Sequence, residues 1–357
     1  MEKKSYFVNG VGVISPQYTF DNTVFLPQPQ EYENTILKCV VPDFKAYIQP
    51  VQLRRLSRLL RIGLSAAITC LRDAKDEAPT GIITSTGYGF LDDTAKFLTE
   101  LLQQDEKQLT PTHFMQSTYN ALGGLVASHI QCTGYNTTYV SKGFAFETAL
   151  CDALMRLNED ASQHFLVGSY DEADATQFAV NSKAGYYRAE PTNNLKLFER
   201  PAAGSLQGEG AAFFFISAHK TEQTWCSIKD TRMMYAPGEE ELTSALIDFL
   251  LVNLLSAEDV DIFINGASGD VDHDGIINRI GERFFTKSEQ LRFKHLCGEY
   301  CTASSFALWM GASVLKKQQI PGIARMNCVP EKASLKNVLI VNQYGGRDYT
   351  FILLERG

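Results

Sequence analysis

The sequence predicts a layered α/β fold built from two similar halves, and three observations lead to it. Short apolar runs of strand length alternate with longer stretches of helical period along the whole chain. Runs such as 211–216 (AAFFFI) and 262–264 show no polar alternation, so helices must cover both faces of their sheet. The third observation is a repetition. One half closes on Gly208-Glu209-Gly210 and an apolar strand, the other on Tyr344-Gly345-Gly346 and another.

Taken in order, 6–14 (YFVNGVGVI) reads as a strand stopped by Ser15-Pro16, and 53–73 as a helix with alanine-rich packing positions. Residues 81–86 (GIITST) form a buried-strand run ended by the turn Gly87-Tyr88-Gly89. Helices are expected over 91–102 and, among small residues, over 121–130 (ALGGLVASHI). A strand at 137–140 leads through Gly143 into a helix over 145–157. Strands at 165–167, 211–216, 262–264, 338–341 and 349–354 complete the set. The halves are expected at 1–218 and 222–357, with 219–223 (HKTEQ) as the junction. No proline-rich or low-complexity linker separates them, so they should pack as one body.

Composition narrows the function. The chain has 357 residues, 45% hydrophobic and 21% charged, which is ordinary for a globular protein. A net charge of −8 argues against nucleic-acid binding, which needs a concentrated basic face. The one dense basic stretch, Arg54 to Arg61 (RRLSRLLR), reads equally as a solvated helix face or as a dock for something acidic. The eight cysteines (39, 70, 132, 151, 226, 297, 301 and 328) lack C-x-x-C spacing, so zinc is not expected and reduced thiols are. The opening residues hold no apolar core of signal-peptide length, and no apolar run approaches the ~18 residues of a membrane span. A cytoplasmic protein without membrane contact is expected.

The stretch NGASGDVDHDGIINRIGE, from Asn265 to Glu282, opens like a calcium loop, with Asp270, Asp272, Asp274 and then Gly275. Such a loop needs a closing bidentate glutamate, but Gly281 falls at that place and Glu282 comes one residue late. An apolar strand precedes it where a helix is required. No metal is expected; the stretch reads as an acidic turn into a helix starting near Gly275.

Six strings, in order, resemble the β-ketoacyl synthases of the thiolase fold: VNGVGVISP, RRLSRLLRIGLSAA, GIITSTGYGFLDD, GEGAAFFFI, FKHLCGEYCTASSFALWMG and NQYGGRDYTFILL. The resemblance spans nearly the whole chain and implies a five-layer αβαβα architecture. In that family a cysteine at a helix N-terminus takes an acyl group from an acyl carrier protein. Two histidines then stabilise the enolate formed by decarboxylation, with a lysine nearby. Against the T-A-C-x-S-G pattern, Gly143 of YVSKGFAF stands at the cysteine position. Against N-x-H-G-T, Ala267 stands at the first histidine; against K-x-x-x-G-H, Glu299 stands at the second. Lys294 and Gly298 are retained.

The resemblance therefore implies a subunit of fatty acid or polyketide (aryl polyene) biosynthesis that has lost its catalytic triad. It reads first as a chain-length factor pairing with an active ketosynthase and working with an acyl carrier protein. Two other readings remain: an acyltransferase or decarboxylase using Lys294, Glu299 or Cys297, and a homodimer that binds acyl chains or carrier protein without turnover. No cofactor is implied. In the family, the segment corresponding to 111–120 (PTHFMQSTYN) crosses the subunit interface. This makes His113, Phe114 and Met115 candidates to face a partner and bound its acyl tunnel.

Overall fold

The computed structural model describes residues 5–75, 78–107, 109–327, 329–330 and 332–357; Cys328 lies outside the described residues. Strands β1 (Tyr6–Ile14), β2 (Gly81–Thr86), β3 (Tyr135–Val140), β4 (His164–Asp171) and β5 (Gly210–Ser217) come from the first part of the chain. Strands β6 (Cys226–Tyr235), β7 (Ile262–Gly266), β8 (Glu289–Arg292), β9 (Asn337–Tyr344) and β10 (Asp348–Glu355) come from the second. Across the sheet they run β8-β7-β9-β10-β6-β1-β5-β4-β2-β3. Numbered within its own set, each group runs 3-2-4-5-1 from the outer edge to the middle. In both sets the fifth strand is antiparallel to its two neighbours. The duplication visible in the sequence is thus a duplication of topology.

The two sets meet where β1 pairs antiparallel with β6, Tyr6–Val8 against Cys226–Ile228. The stacked sheets expected from sequence are therefore hydrogen-bonded into one ladder. Helices α1 (Arg58–Asp73), α2 (Leu91–Gln103), α3 (Pro111–Ser117), α4 (Ala121–Ile130), α5 (Ala145–Glu159), α6 (Ala175–Lys183), α7 (Glu239–Val252), α8 (Gly275–Phe284) and α9 (Ser304–Lys317) surround it. Helices α5 and α9 lie between the halves. Phe146 and Leu150 of the first and Phe306 and Met310 of the second share one core with Val8, Phe214, Ile264 and Ile340. Outside, α1 and α4 cover Ile82, Phe213 and Phe215, while α7 and α8 cover Phe263, Val341 and Phe351. The run Phe213-Phe214-Phe215 shows why no polar alternation appears: successive side chains point to opposite faces, and both faces are core.

Some elements differ from the sequence expectation. Helix α1 begins at Arg58, because residues 54–57 turn away after a short helical piece, Pro50–Leu53. Strands β6 and β8, CSIKDTRMMY and EQLR, carry too much charge to read as buried strands, yet both sit within the sheet.

Candidate functional site

The site sits where α5 begins. From β3 the chain turns through Lys142, held at a φ of 47°, into a short 3₁₀ turn, Lys142–Phe144, that leads into α5. Gly143 is buried there. A Cβ built on it would lie 2.5 Å from Asp348 Oδ2, 2.8 Å from Tyr344 Cβ and 2.9 Å from Asp348 Cβ. Real Cβ atoms do not approach other groups so closely, so any side chain here would have to displace Asp348 and Tyr344. The Asp348 carboxylate accepts a hydrogen bond from the Gly143 backbone N–H. A carboxylate thus sits against the start of the helix, where the dipole favours negative charge. Partial burial holds the Asp348 carboxyl above its usual range, opposed by the Gly143 bond and by Lys142 and Arg347.

Ala267 follows β7 and is fully buried; its N–H donates to Asn265 Oδ1 at 2.8 Å. Asp274, next to α8, does not cap that helix. Its carboxylate turns back to accept from the Ser268 and Gly269 N–H groups at 2.8 and 2.7 Å, fixing the turn after Ala267. Asp270 accepts from the Asp272 N–H at 3.0 Å and pairs with His273 Nδ1 at 2.7 Å. Asp270 and Asp274 therefore spend their carboxylates on the loop itself. Among the described residues no group of three or more His, Cys, Asp or Glu is arranged to hold a metal.

Glu299 is buried, and its Oε2 lies 2.6 Å from Lys294 Nζ, which also donates to the Gln343 carbonyl at 2.5 Å. Burial pushes the Glu299 carboxyl up to about 7 despite the ammonium beside it, and Oε1 has no hydrogen-bond partner among the described residues. The neighbouring Gly298, with a φ of 78°, packs so tightly on Gly208 that a Cβ would come within 2.4 Å of the Gly208 Cα. This contact locks the GEG turn of the first half to the K-x-x-x-G segment of the second. Cys297 points into the core between the halves; its thiol donates to the Gly298 carbonyl, and burial pushes it far above the ordinary thiol range.

Tyr344 joins these positions. It packs against Gly143, and with Ser268, Asp270, His273 and Glu299 it lines a cavity of about 10 Å³, the space of one water. Tyr344 also shares a hydrogen bond with Cys301, a buried thiol wedged against Gly87. The structure therefore brings Gly143 and Glu299 to one spot through Tyr344, while Ala267 contributes only through its neighbour Ser268. Sequence reasoning missed Tyr344, Asp348 and Cys301. The first two stood in the NQYGGRDYTFILL string, and only their geometry gives them a role.

Two outlying features complete the picture. Arg58 grips the buried Glu209 with both terminal nitrogens, at 3.0 and 2.5 Å, and holds its carboxyl below the ordinary range against the cost of burial. Arg58 is thus structural, and Arg54 and Arg55 carry the exposed charge of the basic stretch. On α3, Phe114 is 55% and Met115 61% exposed, so neither fills this chain's own core. His113 turns inward, with Nδ1 3.3 Å from Asp93 and Nε2 3.7 Å from Glu100 of α2.

Comparison with known proteins follows this geometry. Residues 31–195 match the family described as Beta-ketoacyl synthase, N-terminal domain. The chain has the ketosynthase fold over its whole length. It is similar to the ishigamide ketosynthase/chain length factor, with a TM-score of 0.79 and 17% identity over 99% of this chain and 100% of that one. It is similar to a beta-ketoacyl synthase from Burkholderia phymatum STM815, with a TM-score of 0.77 and 13% identity over 99% and 100%. It is also similar to the complex of the ketosynthase ApeO with its chain length factor ApeC from Xenorhabdus doucetiae, with a TM-score of 0.75 and 15% identity over 99% and 98%. No curated protein sequence matches. In this chain with the ketosynthase fold, Asp348 and Tyr344 fill the space in front of the start of α5.

Proposed function

We propose that the chain is a non-catalytic, chain-length-factor-type subunit that pairs with an active ketosynthase in cytoplasmic fatty acid or polyketide (aryl polyene) assembly, with an acyl carrier protein as third component. One observation carries the reading: a side chain at position 143, and so a thiol, would have to displace Asp348 and Tyr344. The neighbouring space, about 10 Å³, holds no acyl chain. Similarity to a ketosynthase/chain length factor and to a ketosynthase in complex with its chain length factor supports the same role. A third similar structure holds a type II polyketide acyl-carrier protein in complex with its ketosynthase. Exposed Arg54 and Arg55 suit an acidic carrier of that kind.

The halves 1–218 and 222–357 serve, in this reading, as scaffold, with Gly143, Ala267 and Glu299 as the vacated triad positions and Lys294 as its remnant. Phe114 and Met115 supply the surface that meets the ketosynthase and closes its acyl tunnel. The reading with displaced chemistry at Cys297 is disfavoured by a thiol turned into the core. Co-expression with candidate ketosynthases tests the proposal. A stable complex should co-purify, and intact mass after incubation with acylated carrier protein should show the acyl group on the ketosynthase only. An adduct on this chain, lost in Cys297→Ala or Cys301→Ala, would replace the proposal with an acyl-enzyme.

A further inference from the structure

Helix α3 presents a physical puzzle. It has seven residues and none of them is buried. A helix of that length is not stable alone, and no residue of this one is buried to hold it down. Its most apolar pair, Phe114 and Met115, is more than half exposed, with the Phe114 ring packed on Phe97 of α2 (ring centroids 5.3 Å apart). Something other than hydrophobic burial must hold the helix and keep that pair outward.

The residues on either side of the pair do so. His113 reaches α2, where Nδ1 faces the buried carboxylate of Asp93 and Nε2 faces Glu100. Gln116 reaches the opposite way, to the segment before α1. Its Oε1 accepts from the Ser57 N–H at 2.9 Å and its Nε2 donates to the Arg55 carbonyl at 2.5 Å. Ser57 is the residue immediately before α1, so this anchor ends on a rigid element. Two polar anchors three residues apart on one short helix thus bracket Phe114 and Met115 and aim them away from the body.

We propose that His113 and Gln116 are positioning residues that pre-organise Phe114 and Met115 as the contact pair for the partner subunit. The chain-length-factor reading supplies only the identity of what the pair meets; the anchoring stands on this chain alone. Pre-organisation favours binding because side chains already ordered lose less freedom on association.

The test has two arms. In the isolated protein, hydrogen exchange of the backbone amides of 111–118 is compared among wild type, His113→Ala and Gln116→Ala. Each variant should speed exchange in that segment by about tenfold while leaving α1 and the melting temperature unchanged, as expected for a local opening event. Unchanged exchange at 111–118 overturns the anchoring. The second arm measures affinity for a co-purifying active ketosynthase, with each anchor variant made in the wild-type background and in Phe114→Ala/Met115→Ala. The anchor variants should weaken binding about tenfold in the first background and leave it unchanged in the second, because the anchors act through the pair. Equal weakening in both backgrounds, or none in either, overturns the positioning role. If no ketosynthase binds the wild type, the chain-length-factor reading fails, and the exchange arm still decides the anchoring.

Discussion

At the residue scale, Gly143 is matched to its surroundings: a Cβ there would meet Asp348 and Tyr344 at 2.5 to 2.9 Å. Introducing a thiol alone should therefore create no acyl-accepting site. Gly143→Cys is expected to cost roughly 1–3 kcal/mol of stability through overpacking, and to take up no acyl group from acylated carrier protein. Thermal melts and intact mass read the two effects. Trimming the obstruction should offset the cost: Gly143→Ala in an Asp348→Ala background should destabilise less than the sum of the two single changes. Strict additivity would show that the carboxylate does not fill the site.

At the element scale, the α2–α3 surface should bear on product length rather than on this chain's stability. In complex with an active ketosynthase, Phe114→Ala should lengthen the products by several carbons. Each methylene admitted to an apolar tunnel gains about 0.8 kcal/mol, so removing one ring shifts the preferred stop. Chromatography of the products checks this, and an unchanged distribution in both Phe114→Ala and Met115→Ala would remove these residues from the tunnel. The element scale is also where the sequence was most legible. Runs such as AAFFFI and GIITST announced strands covered on both faces, and those strands are there. Strands β6 and β8 were not legible, because Asp230, Arg232, Glu289 and Arg292 hide a strand pattern whose pairing is decided by neighbours far along the chain. At the candidate site, the sequence offers only the positions Gly143, Ala267 and Glu299, read through the family resemblance. The filling of the site was not legible, since the contact of Asp348 with Gly143 joins residues about two hundred positions apart and leaves no local signature.

At the scale of the whole molecule, buried carboxyls set a pH dependence. Burial pushes Glu147, Glu172 and Glu299 each up to about 7. Such groups bind their protons more tightly folded than unfolded, so the stability they contribute is full below their unfolded value of 4.5 and is lost as pH rises through about 7. His295, pushed down to about 4 by burial, acts in the other direction, since its contribution fades as pH falls below 6.5. Three groups outweigh one. The melting temperature should fall between about pH 5 and about pH 8.5, and Glu147→Gln should flatten the slope by removing one of the three. A melting temperature that rises over that interval would contradict the assignment.

The joining of the two halves along β1 and β6 has a further outcome at this scale. A single ladder has two ends, and here they are unlike. At the β8 end, residues 325–327 lie along the strand: the Met326 N–H donates to the Gln290 carbonyl, Asn327 Oδ1 accepts from the Gln290 N–H, and Arg325 bridges to Leu291. The β3 end closes the sheet with Tyr135–Val140, whose residues are half-buried or exposed. In the language of polymer chemistry, the chain is a terminator with one reactive end rather than a monomer with two. Edge pairing can be satisfied once, by one partner, and cannot propagate into a fibre. Sedimentation of the purified protein over a wide concentration range should accordingly show no species larger than two chains.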